Sequence, residues 1–427
     1  MKTGLALLTA LILAPLADLR AADLTPAPSG PPAVRKWRLV FNDEFGGTGI
    51  DEAKWKPSHT SEWNHPGFKT RQEKKNCALD GNGQLVIRLT RDADGTIAFS
   101  HGLETRDFQK AFGYVETRVQ FTTQPGWWGY VCLIGNNTLP SYGHDPFESA
   151  QEFDIFEDFY KPKITPSRST AYQNVICHAY HCTIGLGFLD QGDGSGAGYE
   201  SRQKKAMLSV TKTGRILRQA MHAPKEYAGW HTIGMRWGPL EQVFYVDGQE
   251  TFRQTYKDTP ITTVPLKLEV GGVYRTPQKL RKDGGDLPHY GWLEDAKLPD
   301  QLVVDYIRWY EEDNGDKTAP TITLTLDGNT DALLAGQPAT FRVRAEDNDG
   351  NLKSVQLFAK GYLRAEAKLD AAQTDQTFTL SNLFEGDNTL IATAVDNEGL
   401  VALSAPLRVQ VTGSGAPKTK KSPRTAK

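Results

Sequence analysis

Apolar and polar residues alternate with period two through most of the chain. GQLVIRLT (83–90), GYVETRVQF (113–121), QVFYVDG (242–248), LKLEVGG (266–272) and LVVDYIRWY (302–310) each set large apolar side chains against polar ones. Such runs begin at Trp37 and are broken every ten or so residues by Gly, Asn, Asp or Pro. No stretch of comparable length carries the 3.6-residue period of a helix. Many short strands with turn punctuation predict an all-β sandwich or barrel.

DNGDKTAP (313–320) reads as a linker, and all nine tryptophans and all four cysteines precede Asn314. Beyond it the alternation resumes at Ile322, Leu324 and Leu326, then Phe341, Val343 and Ala345, then Val355 and Leu357. It continues through Leu390, Ala392 and Ala394 to Leu407, Val409 and Val411. About seven strands in about 95 residues predict a small immunoglobulin-like β-sandwich over 321–412, without the inter-sheet disulfide of antibody domains. Its turns AEDNDGNL and AVDNEGLV echo each other. Tight-turn chemistry accounts for their Asp and Asn, with calcium binding as the alternative.

One run departs from strict alternation. In Glu152-Phe153-Asp154-Ile155-Phe156-Glu157 the first two acids share a strand face, while Phe153 and Ile155 fill the other. Glu157 has the wrong parity and joins them only if an extra residue, most simply Phe156, loops out as a β-bulge. Three carboxylates would then line one face of a sheet whose other face is core. Crowding like charges is costly, so such a row points to chemistry; a solvated edge strand is the plainer alternative.

Composition narrows the setting. Basic and acidic residues number 49 and 51, so nucleic acid is not a favoured partner. Residues 1–22 join one Lys to an apolar run from Leu5 to Leu16 that ends in small residues. That pattern predicts a signal peptide and a secreted or periplasmic protein, with no membrane span elsewhere. Residues 23–34 are a Pro-rich linker, and the tail 413–427 is basic and expected to be disordered. Export permits disulfides among Cys77, Cys132, Cys177 and Cys182, and all three pairings stay open. CHAYHC (177–182) fits no zinc template well. Two long insertions, 185–205 and 273–298, have the length of binding loops. The second sets Arg275, Lys279, Arg281 and Lys282 beside Tyr274, Tyr290 and Trp292.

Two carboxylates beside aromatic rings are the parts of a glycosidase. Sugar rings have apolar faces that stack on Trp and Tyr. Acetal cleavage needs one acid to protonate the leaving oxygen and another to meet the oxocarbenium-like centre. With the bulge, Glu152 and Glu157 lie two pleats apart on one face and can converge to about 5–5.5 Å, the retaining separation. Asp154 between them can orient Glu152 and help keep a proton on a neighbour.

These segments together resemble glycoside hydrolase family 16, the laminarinase, lichenase, agarase and carrageenase group. WRLVFNDEFGG (37–47), FGYVETRVQF, EFDIFE, WHTIGMRWGPLEQVFYVDGQ (230–249) and VVDYIRWYE (303–311) occur in that family's order. The resemblance implies a concanavalin-like β-jelly roll of two curved antiparallel sheets over 35–312. It implies Glu152 as nucleophile, Glu157 as acid/base and Asp154 as assisting carboxylate. It also implies a structural calcium, for which Glu44 and Asp305 fall in the corresponding segments; catalysis itself needs no cofactor. Laminarinase-like members carry Trp-Pro-Ala-x-Trp before the catalytic strand. Here Trp128-Gly129-Tyr130-Val131-Cys132 puts cysteine where the second tryptophan would stand. Trp127, Trp128, Trp230, His178 and His181 are the candidate substrate-binding residues, with His231 expected to face away from Trp230.

The leading expectation is therefore a monomeric, secreted, retaining endo-glycosidase acting on β-1,3- or β-1,3/1,4-glucan. A galactanase on agar, porphyran or carrageenan, a transglycosylase, and a non-catalytic carbohydrate-binding protein are the alternatives. A lectin would need none of the three acids.

Overall fold

The computed structural model describes residues 30–33, 35–58, 69–100, 102–135, 152–160, 175–183, 199–200, 206–210, 215–257, 261–274, 293–315, 317–328 and 333–413. The expected signal peptide, most of the Pro-rich linker, most of both insertions and nearly all of the basic tail lie outside them. The protein is all-β, with curled sheets. Among the described residues no helix is long and apolar enough to cross a membrane.

Two sheets form the first unit. The ten-stranded sheet runs Gln249–Thr255, Glu241–Val246, Trp230–Trp237, Gly113–Gln120, Asp300–Asp313, Leu85–Arg91, Ile97–Phe99 and Thr70–Gln72. Lys36–Asp43 and Cys77–Leu79 pair onto it. The nine-stranded sheet runs Tyr199–Glu200, Ala206–Val210, Arg215–His222, Val175–Thr183, Glu152–Phe159, Trp127–Ile134, Lys267–Tyr274, Gly102–Thr105 and Trp55–Pro57. The strand carrying the acid triplet is thus central, with paired neighbours on both sides. The alternation seen in sequence decides which face is buried. Val115, Val119 and Phe121 from one sheet, and Leu266, Leu268 and Val270 from the other, enter a common core with Phe153, Phe156 and Trp309. Burying each large side chain stabilises the sandwich by roughly 1.5–3 kcal/mol.

A second, smaller sandwich follows. A three-stranded sheet of Thr321–Asp327, Ala339–Glu346 and Gln373–Leu380 faces a six-stranded one. The latter comprises Leu333–Leu334, Leu407–Thr412, Gly386–Asp396, Leu352–Ala359 and Tyr362–Ala371, with Val401–Leu403 beside Gly386–Asp396. Its core is separate, built on Phe341, Val343, Val355, Leu357, Leu390 and Ala392. The units meet where the Tyr256 hydroxyl donates to Glu366 (2.7 Å) and Tyr256 packs on Phe358 (ring centroids 5.7 Å apart). Arg35 adds a bridge, pairing with Glu312 (3.0 Å) and donating to the carbonyls of Glu398 and Gly399.

Candidate active site

The bulge required by the acid parity is present, one residue from the expected place. Against Trp127–Ile134, Glu152 pairs with Ile134, Asp154 with Cys132, Phe156 with Val131 and Glu157 with Tyr130. Ile155 is therefore the extra residue, not Phe156. Against Val175–Thr183, Asp154 pairs with Ala179 and Glu157 with Cys177, so two residues again oppose one. Ile155 and Phe156 are both fully buried and both enter the core, as does Phe153. Phe156 drives the choice: turning it outward would expose an aromatic ring, whereas spending the irregularity on the backbone keeps three apolar side chains inside. Glu152, Asp154 and Glu157 are left on the opposite face, the two glutamates half-buried and Asp154 buried.

A bulge removes one residue from the hydrogen-bond ladder, and its carbonyl needs another donor. His178 supplies it. This ring is fully buried, with Nδ1 2.6 Å from the Ile155 carbonyl and Nε2 3.0 Å from the Thr251 hydroxyl on the facing sheet. His178 was expected in the cleft; it lies on the core side, against Phe244 (4.8 Å between ring centroids). Burial holds its pKa down at about 4, so the ring is neutral and Nδ1–H donates to the carbonyl. The backbone of His181 lies directly opposite Glu152; its side chain is outside the described residues.

Trp128 shares the acid face, and its indole N–H donates to Glu157 Oε1 at 2.9 Å. Trp127, one residue earlier, points the other way and is only 2 % exposed. It packs with Leu89, Phe99 and Tyr274 while its N–H donates to Asp300. Trp230 belongs to the other sheet altogether, under the Arg118 guanidinium (4.5 Å). Trp127 and Trp230 therefore do not line the acid face. His231 faces away from Trp230 as expected, buried against Phe121 and Asp247.

Residues not singled out in the sequence complete this face. Tyr130, opposite Glu157, donates its hydroxyl to Glu269 Oε1 at 2.6 Å. Glu269 pairs in register with both Cys132 and Glu104, and Lys267 bonds Glu104 at 2.6 Å. Lys56 approaches Glu104 from the far side at 3.0 Å. Burial pushes Glu104 upward, but Lys267 and Lys56 outweigh it and hold the carboxyl below its ordinary range. The alternation in LKLEVGG could have revealed Lys267 and Glu269, since Leu266, Leu268 and Val270 occupy the other parity. The thiols register the local field. Burial first, then Glu269, Asp154, Glu152 and Glu157, lifts the Cys132 thiol well above its usual pKa. Cys177 is lifted likewise, by burial and then by Glu157 and Asp154. Cys77, Cys132 and Cys177 are buried thiols without a disulfide.

The pair considered for calcium does not fit a cation well. Arg308 grips both oxygens of Glu44 (2.9 and 2.8 Å), and Arg118 holds Asp305 (2.7 Å). Each carboxylate thus already has a positive partner, and a divalent ion would have to displace it.

No family model and no curated protein matches the chain. Solved structures do resemble it. The catalytic domain of an endo-1,3-β-glucanase (laminarinase) from Thermotoga petrophila is 19% identical, covering 66% of this chain and 100% of that one at a TM-score of 0.44. The laminarinase catalytic domain from Thermotoga maritima is 19% identical, over 65% of this chain and 99% of that one, also at 0.44. A laminarinase from Flavobacterium sp. is 16% identical, over 64% and 100%, at 0.43. Likeness at such identities and scores carries no information about substrate.

Proposed function

We propose that the first sandwich is a retaining endo-glycosidase hydrolysing a β-linked polysaccharide, with β-1,3- or β-1,3/1,4-glucan as first choice. The observation carrying this reading is the bulge that turns Glu152, Asp154 and Glu157 onto one face of a central strand. Glu152 and Glu157 stand opposite residues four apart on the neighbouring strand, Ile134 and Tyr130. That spacing is about 13 Å along the backbone. Two glutamate side chains leaning inward shorten it toward the about 5–5.5 Å of a double displacement. Glu157, protonated, gives its proton to the glycosidic oxygen as Glu152 attacks the anomeric carbon and the carbon–oxygen bond breaks. Glu157 then takes a proton from water, which attacks the same carbon and frees Glu152. Asp154 sits between them, orienting Glu152. Lys56 and Lys267 are both engaged by Glu104, and Glu269 adds another carboxylate. A face so acidic suits a neutral glucan better than a sulfated galactan. Export through residues 1–22 would bring the enzyme to polymers too large to enter a cell.

Glu152→Gln and Glu157→Gln are each expected to abolish release of reducing ends from glucans while leaving folding intact. In the Glu157 variant, azide should restore turnover of an activated substrate and yield the β-glycosyl azide. An α-azide would mean inversion and overturn the retaining assignment. Wild-type protein inactive on every glucan and galactan of a panel would favour a carbohydrate-binding protein, and longer products than substrates a transglycosylase.

A further inference from the structure

The two echoing turns of the second sandwich meet in space. Asp347 lies on one, Asp396 and Glu398 on the other, and one carboxylate oxygen from each falls within 4.8 Å of the others. Oxygens sharing a calcium ion at about 2.3–2.6 Å are at most about 5 Å apart, so the spacing is that of a single coordination sphere. Acidic clusters are common at surfaces, and this one alone would be unremarkable. Two further observations separate it from a solvated pair of turns.

Asp347 is only 3 % exposed, no N–H or hydroxyl donates to its Oδ2, and the Asp349 carboxylate beside it adds like charge. Burying an unpaired carboxylate oxygen costs several kcal/mol or more unless a charge compensates it. The second observation is Gly350. Its φ is not in the left-handed region, so conformation does not call for glycine. Space does: a Cβ there would lie 2.5 Å from Asn397 Oδ1, 2.9 Å from Asp347 Oδ2 and 3.1 Å from Glu398 Oε2. Oxygens from both turns, including the unpartnered one, converge where a side chain is missing. Positive charge nearby is scant. Lys317 reaches the other oxygen of Glu398 (3.3 Å), and Arg35 is spent on the carbonyls of Glu398 and Gly399.

We propose that Asp347, Asp396 and Glu398, with the Asn397 amide oxygen, form a calcium site that ties the two turns together. The donors are all hard oxygens, with neither sulfur nor imidazole, which favours calcium over zinc or copper. The site stands where the second sandwich meets the first. Arg35 connects Glu398 and Gly399 to Glu312, and Thr318, within the connecting segment, donates to Asp349 beside the site. Calcium there offsets two of the three carboxylate charges and stiffens the junction.

The test is calorimetric titration of the chelator-stripped full chain with calcium chloride. One saturable site is expected, with a Kd of about 0.1–1 mM, as in extracellular modules. Asp347→Asn removes a charge, and Gly350→Ala fills the space between the oxygens. Each is expected to weaken binding at least about tenfold while circular dichroism stays unchanged. Should both variants fail to fold, proteolysis of the wild-type 313–320 segment decides. Calcium is expected to slow cleavage several-fold where sodium chloride of equal ionic strength does not. No saturable binding to the wild type, undiminished binding in both folded variants, or cleavage indifferent to calcium would each overturn the site.

Discussion

Glu157 receives the indole N–H of Trp128, and this bond sets up a testable conflict. A donor aimed at a carboxylate favours the ionised form, whereas a general acid must hold its proton until the glycosidic oxygen needs it. The neighbouring acids, which add to burial in lifting the Cys132 thiol, work in the opposite sense. Trp128→Phe keeps a ring on this face and removes only the donor. The ionised form then loses a charge-assisted hydrogen bond, so the alkaline limb of the kcat/KM profile should move up by about one pH unit, or about 1.4 kcal/mol. An unmoved limb with raised KM would mean that the indole serves packing or sugar contact alone. Trp128 was legible as a candidate because aromatic residues suit sugars. Its partner was not, since the hydrogen bond joins strands 29 positions apart. Trp127 and Trp230 looked equally suitable in sequence, and only strand parity and sheet membership separate them from Trp128.

Within the strand, the odd offset between Asp154 and Glu157 forces an irregularity, and the carbonyl of that irregularity is held by His178. The ring reaches from the acid-bearing sheet to Thr251 on the facing one, pinning the bulge from behind. Its pKa falls from 6.5 to about 4 on burial. The unfolded chain therefore binds more protons than the native state between those values, and stability rises with pH across that window. Conversely, stability present above pH 6.5 is lost as pH falls toward 4, by at most about 3 kcal/mol. His178→Gln cannot charge, so its unfolding free energy should lose this acid-side slope. Without the ring the bulge should also loosen, lowering kcat more than KM. Chemical denaturation at several pH values beside steady-state kinetics checks both; a slope unchanged in the variant would assign the acid sensitivity elsewhere. Parity foretold the bulge, but choosing Ile155 over Phe156 needed the register of the neighbouring strand. His178 was misplaced because Ile176 and Ala179 make both parities of its strand apolar, so alternation gave no inward face.

At the scale of the whole chain, the linker reading of 313–320 divides the sequence into two β units; the structure holds two hydrophobic clusters, with Tyr362 of the second sandwich packed against the first. Which strands would share a sheet was not legible, because pairing in both units joins distant segments, such as Val303 with Gln120. The contacts between units described above fall on Tyr256, just past the edge strand Gln249–Thr255 of the ten-stranded sheet, and on Arg35, just before its strand Lys36–Asp43. The acid row lies on the outer face of the other sheet, beyond the core. Coupling between so separated a contact and the acids should be slight. A chain ending at Asn314 keeps the whole Asp300–Asp313 strand and loses the second sandwich. Its kcat/KM on a short soluble oligosaccharide should stay within about threefold of the full chain, since distant changes rarely couple by more than about 0.5 kcal/mol. Its thermal unfolding should lose any transition belonging to the second core while the first persists. A loss of activity beyond about tenfold in a folded truncation would mean that the second sandwich supports the acid face, and that the two cores act as one.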